Sequence, residues 1–316
     1  MISVGIRLDP QKDVFVSAPA RTDIAAVVVL YNPSENLLSN IDSYSDQVDA
    51  VIAVDNSDSL SRSILSRLDD GRVTLIPMGG NSGIARALNA GCQRAIELGY
   101  KWVLTMDQDS TATPDLVCAL TEVLATDQRN EIAIVAPAWE QVGGAPILRF
   151  SDLLDLDYAM TSGNLLRLDA FKGIGGFRDD FFIDHVDNEF CLRVRRSGWR
   201  IVQRRDAILL HRQGDMGRVR FPFPFYTLNY SPVRRYYNMA RNYLQMSLEF
   251  GADFLIWRDD ERRHWRKDLL KMMLGEKQRV LKLRMLLRGW SDFRAGRFGR
   301  YEDLHPVAAR GKSHET

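Results

Sequence analysis

The sequence predicts an α/β protein built on a doubly wound, largely parallel sheet. Two observations predict it: near-continuous apolar runs that stop at polar residues, and helical patterns alternating with them at short spacing. Residues 24–30 form the first run, closed by Tyr31-Asn32-Pro33, and a run this unbroken fits a strand covered on both faces. Residues 34–47 suit a helix, with Leu37, Leu38 and Ile41 on one side. Residues 48–54 are a second buried strand, ending at Asp55-Asn56-Ser57-Asp58. A helix over 61–68 and a third strand over 73–76 follow. Gly79-Gly80-Asn81-Ser82-Gly83 then leads into an Ala-rich helix over 84–98. The fourth strand, 102–106, runs straight into Asp107-Gln108-Asp109-Ser110. After a helix at 114–125 and a strand at 132–136 the pattern loses regularity, and 233–300 reads as helical and basic. The expected organisation is a lead-in over 1–22, a sheet domain over 23–232, a basic helical region over 233–300 and a tail over 301–316.

A chain of 316 residues with 45% hydrophobic content can bury a sizeable core. Its formal charge of +1 hides an asymmetry: −6 over 1–257, +8 over 258–300 and −1 over the tail. An acidic body with a basic appendage implies different partners for the two parts. Cys92, Cys118 and Cys191 have no metal-like spacing and are expected as reduced, buried side chains of a cytosolic protein. No basic segment followed by an apolar stretch opens the chain, and no run approaches the roughly 18 apolar residues of a spanning helix. A cytoplasmic protein, peripheral at the inner face of the membrane, is therefore expected. Nucleic-acid binding is not, because the basic stretch matches no recognised module.

The chemistry is expected where strands end, since ligands of open α/β sheets gather outside the carboxyl ends. Asp107 and Asp109 follow the fourth strand one residue apart and repel each other unless a cation compensates them. Mg²⁺ typically takes one or two carboxylates plus substrate phosphates, which fits the spacing. A turn in which Asp109 or Ser110 caps the following helix is the alternative. Asp55 can accept from the ring N–H of uracil or thymine, or simply form a turn with Asn56. The Gly-rich turn at 79–83 presents backbone N–H groups to an anionic phosphate. It lacks the dinucleotide fingerprint and the phosphate-loop lysine, which argues against a dinucleotide or ATP site. Asn89, two turns into that helix, is either a ribose or phosphate contact or a surface amide.

Further along, Ser162-Gly163-Asn164 precedes Phe181-Phe182-Ile183-Asp184-His185-Val186-Asp187-Asn188-Glu189. Three acids within six positions among aromatics suggest carboxyls of raised pKa, one of them suited to general-base work. Positions two apart diverge on a helix, so one acid can enter a site while another holds Arg193. A helix N-terminus enriched in acids for dipole reasons is the alternative. His211 follows an apolar run and is a metal ligand, a diphosphate contact or a structural imidazole.

Taken in order, Leu30-Tyr31-Asn32, Asp55-Asn56, Gly80-Asn81-Ser82-Gly83-Ile84-Ala85, Asp107-Gln108-Asp109-Ser110, Ser162-Gly163 and Phe182-Ile183-Asp184-His185-Val186-Asp187 resemble glycosyltransferase family 2. The last motif, the Asp107–Ser110 turn and Arg234-Arg235-Tyr236-Tyr237 with Ala240-Arg241-Asn242 are most similar to its bacterial branch using dTDP-L-rhamnose. The resemblance covers roughly residues 24–300 and implies a glycosyltransferase A-type catalytic domain over 23–232, a divalent cation (Mg²⁺ or Mn²⁺) and inversion at the anomeric carbon. It implies a donor site of Leu30, Tyr31, Asn32, Asp55, Asn81, Gly83, Asn89, Asp107 and Gln108. Asp109, with Asp107 and His211, would hold the metal, and Ser162, Gly163, Asp184 and His185 would lie near the acceptor and base. Asp187 matches the position of the family's base; an acidic pair usual there is replaced by Val186-Asp187, leaving Asp184 as the other candidate. The spacing to Arg193 keeps Asp187 in register.

The expected partners are dTDP-L-rhamnose, a glycan or lipid-linked saccharide acceptor and, for the basic helices, an anionic membrane or a second copy of the chain. Two basic helices at 259–274 and 276–289 would break near Gly275, with Trp265 and Trp290 at the membrane interface. Rival readings are a UDP-sugar transferase of the same family, a non-catalytic nucleotide-sugar-binding subunit, and a glycoside hydrolase. The hydrolase has no need of Asp55 or the Gly-rich turn.

Overall fold

The structure, a computed structural model, describes residues 23–59, 68, 72–142, 152–211, 216–219, 225–228 and 234–306. The lead-in, all but the last residue of the helix expected over 61–68, and the boundary at 232 lie outside them.

Four parallel strands carry the first half: β1 (Ile24–Leu30), β2 (Ala50–Asp55), β3 (Val73–Pro77) and β4 (Trp102–Asp107), in spatial order β3-β2-β1-β4. Alternate side chains of β1 serve two cores. Ala25, Val27 and Val29 face one side with α2 (Ile84–Glu97), while Ile24, Ala26, Val28 and Leu30 face the other with α1 (Leu37–Ser45) and α3 (Leu116–Ala125). Burial on both faces is why β1, β2 and β4 read as unbroken apolar runs rather than alternating ones.

The second half departs from the parallel pattern. β8 (Asn164–Arg167) runs antiparallel between β4 and β6 (Ile132–Gln141), and β9 (Arg200–His211) is parallel to β6. Short strands β5 (Ser110–Ala112) and β7 (Leu153–Asp155) pair antiparallel with β9. Strands of three or four residues are too short to show a period, so β5, β7 and β8 leave no trace in the hydrophobic pattern. α4 (Leu168–Gly173) and α5 (Val186–Arg196) fill the connections, and β10 (Met216–Val219) pairs with β11 (Phe225–Leu228) as a separate ribbon.

Helices α6 (Arg235–Phe250), α7 (Leu255–Gly275), α8 (Arg279–Arg294) and α9 (Tyr301–Leu304) complete the chain. The two basic helices break after Gly275 as expected, a few residues longer at their outer ends. α8 buries Lys282, Leu286, Gly289 and Asp292 and exposes Val280, Leu283, Leu287 and Trp290 on a stripe of helical period. Among the described residues no helix is long and apolar enough to cross a membrane. Two expectations need correction. Cys118 is exposed, because it lies on the solvent side of α3, although Cys92 and Cys191 are buried. Trp265 is not free for an interface: it stacks on Tyr243 with ring centroids 4.9 Å apart.

Candidate active site

Register places the strand ends together. Leu30 pairs with Asp55 and Val29 with Asp107, so the carboxyl ends of β1, β2 and β4 form one edge. The Leu30 side chain is in the core, so only its backbone borders that edge; its carbonyl accepts from Asn56 N–H at 2.8 Å. Asp55 spends Oδ1 on the Ser57 amide (3.0 Å), which fixes the turn beyond β2. Asn56 Oδ1 accepts from the amide and hydroxyl of Ser82, and Asn81 Oδ1 accepts from the Gly83 amide. These bonds knit the Asp55 turn to the Gly-rich turn that opens α2. Asn32 turns the chain at φ +44° and donates its amide to Ser57 Oγ. Gln108 braces Tyr31: its Oε1 accepts from the Tyr31 amide at 2.8 Å and its Nε2 donates to the Tyr31 carbonyl at 3.0 Å. The Tyr31 ring stays exposed.

Asp107, Asp109 and His211 converge at the end of β4, offering ligand atoms that all lie within 4.8 Å of one another. β5 brings His211 there, since Ser110 and His211 are cross-strand partners. Ser110 Oγ is 2.9 Å from His211 Nδ1, Ser162 donates to Ser110 Oγ at 2.8 Å, and Asp107 N–H donates to Ser162 Oγ at 3.0 Å. When Nδ1–H donates to Ser110, the Nε2 lone pair is left for a cation. Two carboxylates and an imidazole suit a divalent cation of the Mg²⁺ or Mn²⁺ type. Burial raises the Asp107 pKa to about 6, helped by Asp109 and Asp187 and opposed by His211. That stored repulsion is what a cation would relieve.

The second wall is the segment before α5. Phe182, Asp184 and His185 all have φ near +60°, a left-handed conformation that costs ~1–3 kcal/mol per non-glycine residue and needs outside support. Asp184 is held by Arg235, whose Nε is 2.7 Å from its Oδ1. His185 is largely buried and its pKa is pushed down to about 4 by burial, with Arg235 adding to the effect. Asp187, in the first turn of α5, has its pKa raised by burial and by Asp184, against amide hydrogen bonds that lower it. Glu189 turns the other way and takes Arg193 bidentately at 2.7 Å. Gly163 passes under Pro137 and Leu209 at φ +83°, where a Cβ would lie within 2.9 Å of each, and donates its amide to Thr105.

Asn89 stands apart from this convergence. Its amide is spent on both backbone groups of Phe177 and on Asp179, so it fastens the loop before α5.

Residues 25–174 match the family model "Glycosyl transferase family 2". This stretch, just under half of the chain, is similar to family 2 glycosyltransferase domains. The chain is 27% identical over 243 residues to the dTDP-rhamnosyl transferase RfbF of Shigella flexneri, covering 71% of this chain and 79% of that one. It is 24% identical over 213 residues to the low-salt glycan biosynthesis hexosyltransferase Agl10 of Haloferax volcanii, covering 60% and 67%. Among solved structures it superposes on S. aureus TarS 1-349 in complex with UDP-GlcNAc with a TM-score of 0.60, 15% identity, 86% of this chain and 80% of that one. GalNAc-T7 with UDP, GalNAc and Mn²⁺ gives a TM-score of 0.53 at 12% identity, covering 70% of this chain and 47% of that one. The glycosyltransferase A-type fold is thus shared.

Sequence reasoning noticed Arg241-Asn242 but not what they do. Both are fully buried in α6. Asn242 Nδ2 lies within hydrogen-bond reach of the carbonyls of Phe181 (3.1 Å), Ile183 (3.0 Å) and Asp184 (2.8 Å). Arg241 Nη1 donates to Gly299 O at 2.8 Å, and its Nη2 reaches the Asp180 and Phe181 carbonyls. They are the outside support that the left-handed segment requires. Gly83 closes the joint from the donor side. A Cβ there would meet Phe182 at 2.7 Å, and the Ile84 amide donates to the Phe182 carbonyl at 2.8 Å.

Proposed function

We propose that the protein is an inverting, divalent-metal-dependent rhamnosyltransferase that moves L-rhamnose from dTDP-β-L-rhamnose to a hydroxyl of a bacterial glycan or glycolipid, giving an α-linkage. The observation that carries this reading is the convergence of the Asp107–Asp109–His211 group with a buried, raised-pKa Asp187 at one strand edge. The choice of donor rests on the likeness to RfbF, a dTDP-rhamnosyl transferase. Asp55 and the Gly-rich turn would take the thymine and ribose, and the amides opening α2 would face the diphosphate. Asp107, Asp109 and His211 would hold the cation, which when bound supplies positive charge against the leaving diphosphate. The acceptor oxygen attacks the anomeric carbon from the face opposite the nucleotide. Its proton passes to Asp187 as the bond to dTDP breaks, and the electron pair leaves on the diphosphate. Asp184 is paired with Arg235 and is less suited to take that proton.

The basic helices are proposed to lie on an anionic membrane. The exposed stripe of Val280, Leu283, Leu287 and Trp290, flanked by exposed Arg279, Arg284 and Arg288, supports this.

Thermal shift with dTDP, UDP and GDP, each with and without Mn²⁺, tests the donor class, since stabilisation follows occupancy. Mn²⁺-dependent stabilisation by dTDP above UDP is expected, followed by dTDP release from dTDP-rhamnose. Preference for UDP overturns the rhamnosyl reading in favour of a UDP-sugar transferase.

A further inference from the structure

Beside the proposed base lies a cavity of about 400 Å³ that the donor site does not use. That volume falls within the roughly 300–1,000 Å³ of small-molecule sites. Ser162 and Asn164 form its inner wall, β6 supplies Trp139, the segment after β7 supplies Asp157 and Tyr158, and α7 supplies Trp257 and Asp260. Asn164 and Ala159 also border the small space that Asp187 lines, so the cavity opens beside the carboxyl group that would take the acceptor proton.

Three features give its chemistry. Trp139 and Tyr158 are 40% and 39% exposed, two large rings left uncovered at one mouth. Two buried polar atoms in its wall, Trp257 Nε1 and Asn164 Oδ1, have no hydrogen-bond partner among the described residues, although Trp257 is 2% exposed and Asn164 5%. A buried donor and a buried acceptor without partners cost ~1–3 kcal/mol each, a cost that a ligand bearing hydroxyls offsets. Finally, the charged groups lining the cavity are Asp155, Asp157 and Asp260; among the described residues no Lys, Arg or His lines it. Their partners Arg200, Arg195 and Arg263 approach from outside it.

We propose that this cavity is the acceptor subsite and that it selects an uncharged sugar ring, stacked against Trp139 or Tyr158 and hydrogen-bonded by its hydroxyls to Asp157, Asp260, Asn164 and Trp257. Carboxylates accept from hydroxyl groups, and the apolar face of a pyranose fits an aromatic ring. A uronic acid or phosphate at the same place meets carboxylates first and is repelled. This rests on the glycosyltransferase reading for its role but not on the identity of the nucleotide.

Saturation-transfer NMR on the full chain, without nucleotide, tests it with the methyl glycosides of glucose, galactose, mannose, rhamnose and N-acetylglucosamine against those of glucuronic and galacturonic acid. At least one neutral glycoside is expected to bind ten-fold or more tightly than both uronides. Trp139→Ala is expected to abolish that signal while nucleotide-dependent thermal stabilisation is unchanged, which also shows the variant folded. Asp260→Lys is expected to bring the uronides within a few-fold. The proposal is overturned if no neutral glycoside binds, if uronides bind equally well to the native protein, or if both Trp139→Ala and Tyr158→Ala leave binding intact. A failed donor assay with intact glycoside binding would strike the dTDP-rhamnose reading alone.

Discussion

Arg235 Nε lies 2.7 Å from Asp184 Oδ1, and this one ion pair distinguishes the surroundings of two carboxyls three residues apart. Burial raises the pKa of both carboxyls, but Asp184 is bound directly by Arg235 from α6, whereas Asp187 accepts amide hydrogen bonds and feels Arg235 only at longer range. A raised-pKa carboxylate not held in a direct ion pair is the one suited to receive a proton.

Asp187→Asn is therefore expected to lower turnover by ~10²–10⁴-fold, the usual contribution of general-base catalysis, with little change in dTDP affinity. Steady-state transfer and nucleotide titration would check it. Near-native transfer by Asp187→Asn, together with loss of transfer in Asp184→Asn, would move the base to Asp184.

Ser110→Ala removes the group 2.9 Å from His211 Nδ1 that orients the imidazole. Loss of such an orienting partner typically weakens metal binding ~10–100-fold. Manganese titration by calorimetry should show that drop. Chelation of the metal should abolish transfer, and added Mn²⁺ should restore it.

Asn242→Ala leaves three carbonyls of the left-handed segment without their shared donor and should cost roughly 1–3 kcal/mol in urea unfolding. Asn242→Asp should be worse than alanine, since a carboxylate cannot donate and would face three carbonyl oxygens. If both variants keep native stability and transfer rate, the segment does not depend on this bond.

His185 contributes an acid-side pH dependence. Its folded pKa of about 4 lies below its ordinary 6.5, because burial disfavours the imidazolium. The unfolded chain therefore binds the proton more readily, so this group's contribution is intact above pH ~6.5 and is lost as pH falls towards 4. His185→Asn, which tolerates the left-handed φ, should flatten the fall in melting temperature between pH 6.5 and 4.5 relative to the native protein.

Flotation with anionic liposomes at low salt should carry the protein upward, and Leu287→Glu with Trp290→Glu should prevent it. Failure of the native chain to float would remove the membrane from the reading.

Much of the parallel half was legible because β1, β2 and β4 are buried along their length and end at polar residues: Leu30 before Tyr31, Met106 before Asp107. The convergence of Asp107, Asp109 and His211 was hidden. It depends on β5, three residues long, whose pairing brings together positions 110 and 211, and no local pattern encodes so distant a partner. The support of the base segment was hidden for the same reason. Arg241 and Asn242 look like polar residues of an ordinary helix, and only tertiary packing turns them inward. The exposure of Cys118 was misread because residue type alone predicts burial, while the phase of α3 decides it.

Position 83 has one more implication. The hydrogen atom that glycine carries in place of a methyl group lets the start of α2 touch Phe182, a hundred residues further along the chain. The first turn of α2 is thereby fastened to the backbone segment that leads into Asp187. If nucleotide binds at α2, this contact is a direct route by which its occupancy would reach the segment before α5. An ordered sequence of binding, donor before acceptor, is the behaviour such a joint favours.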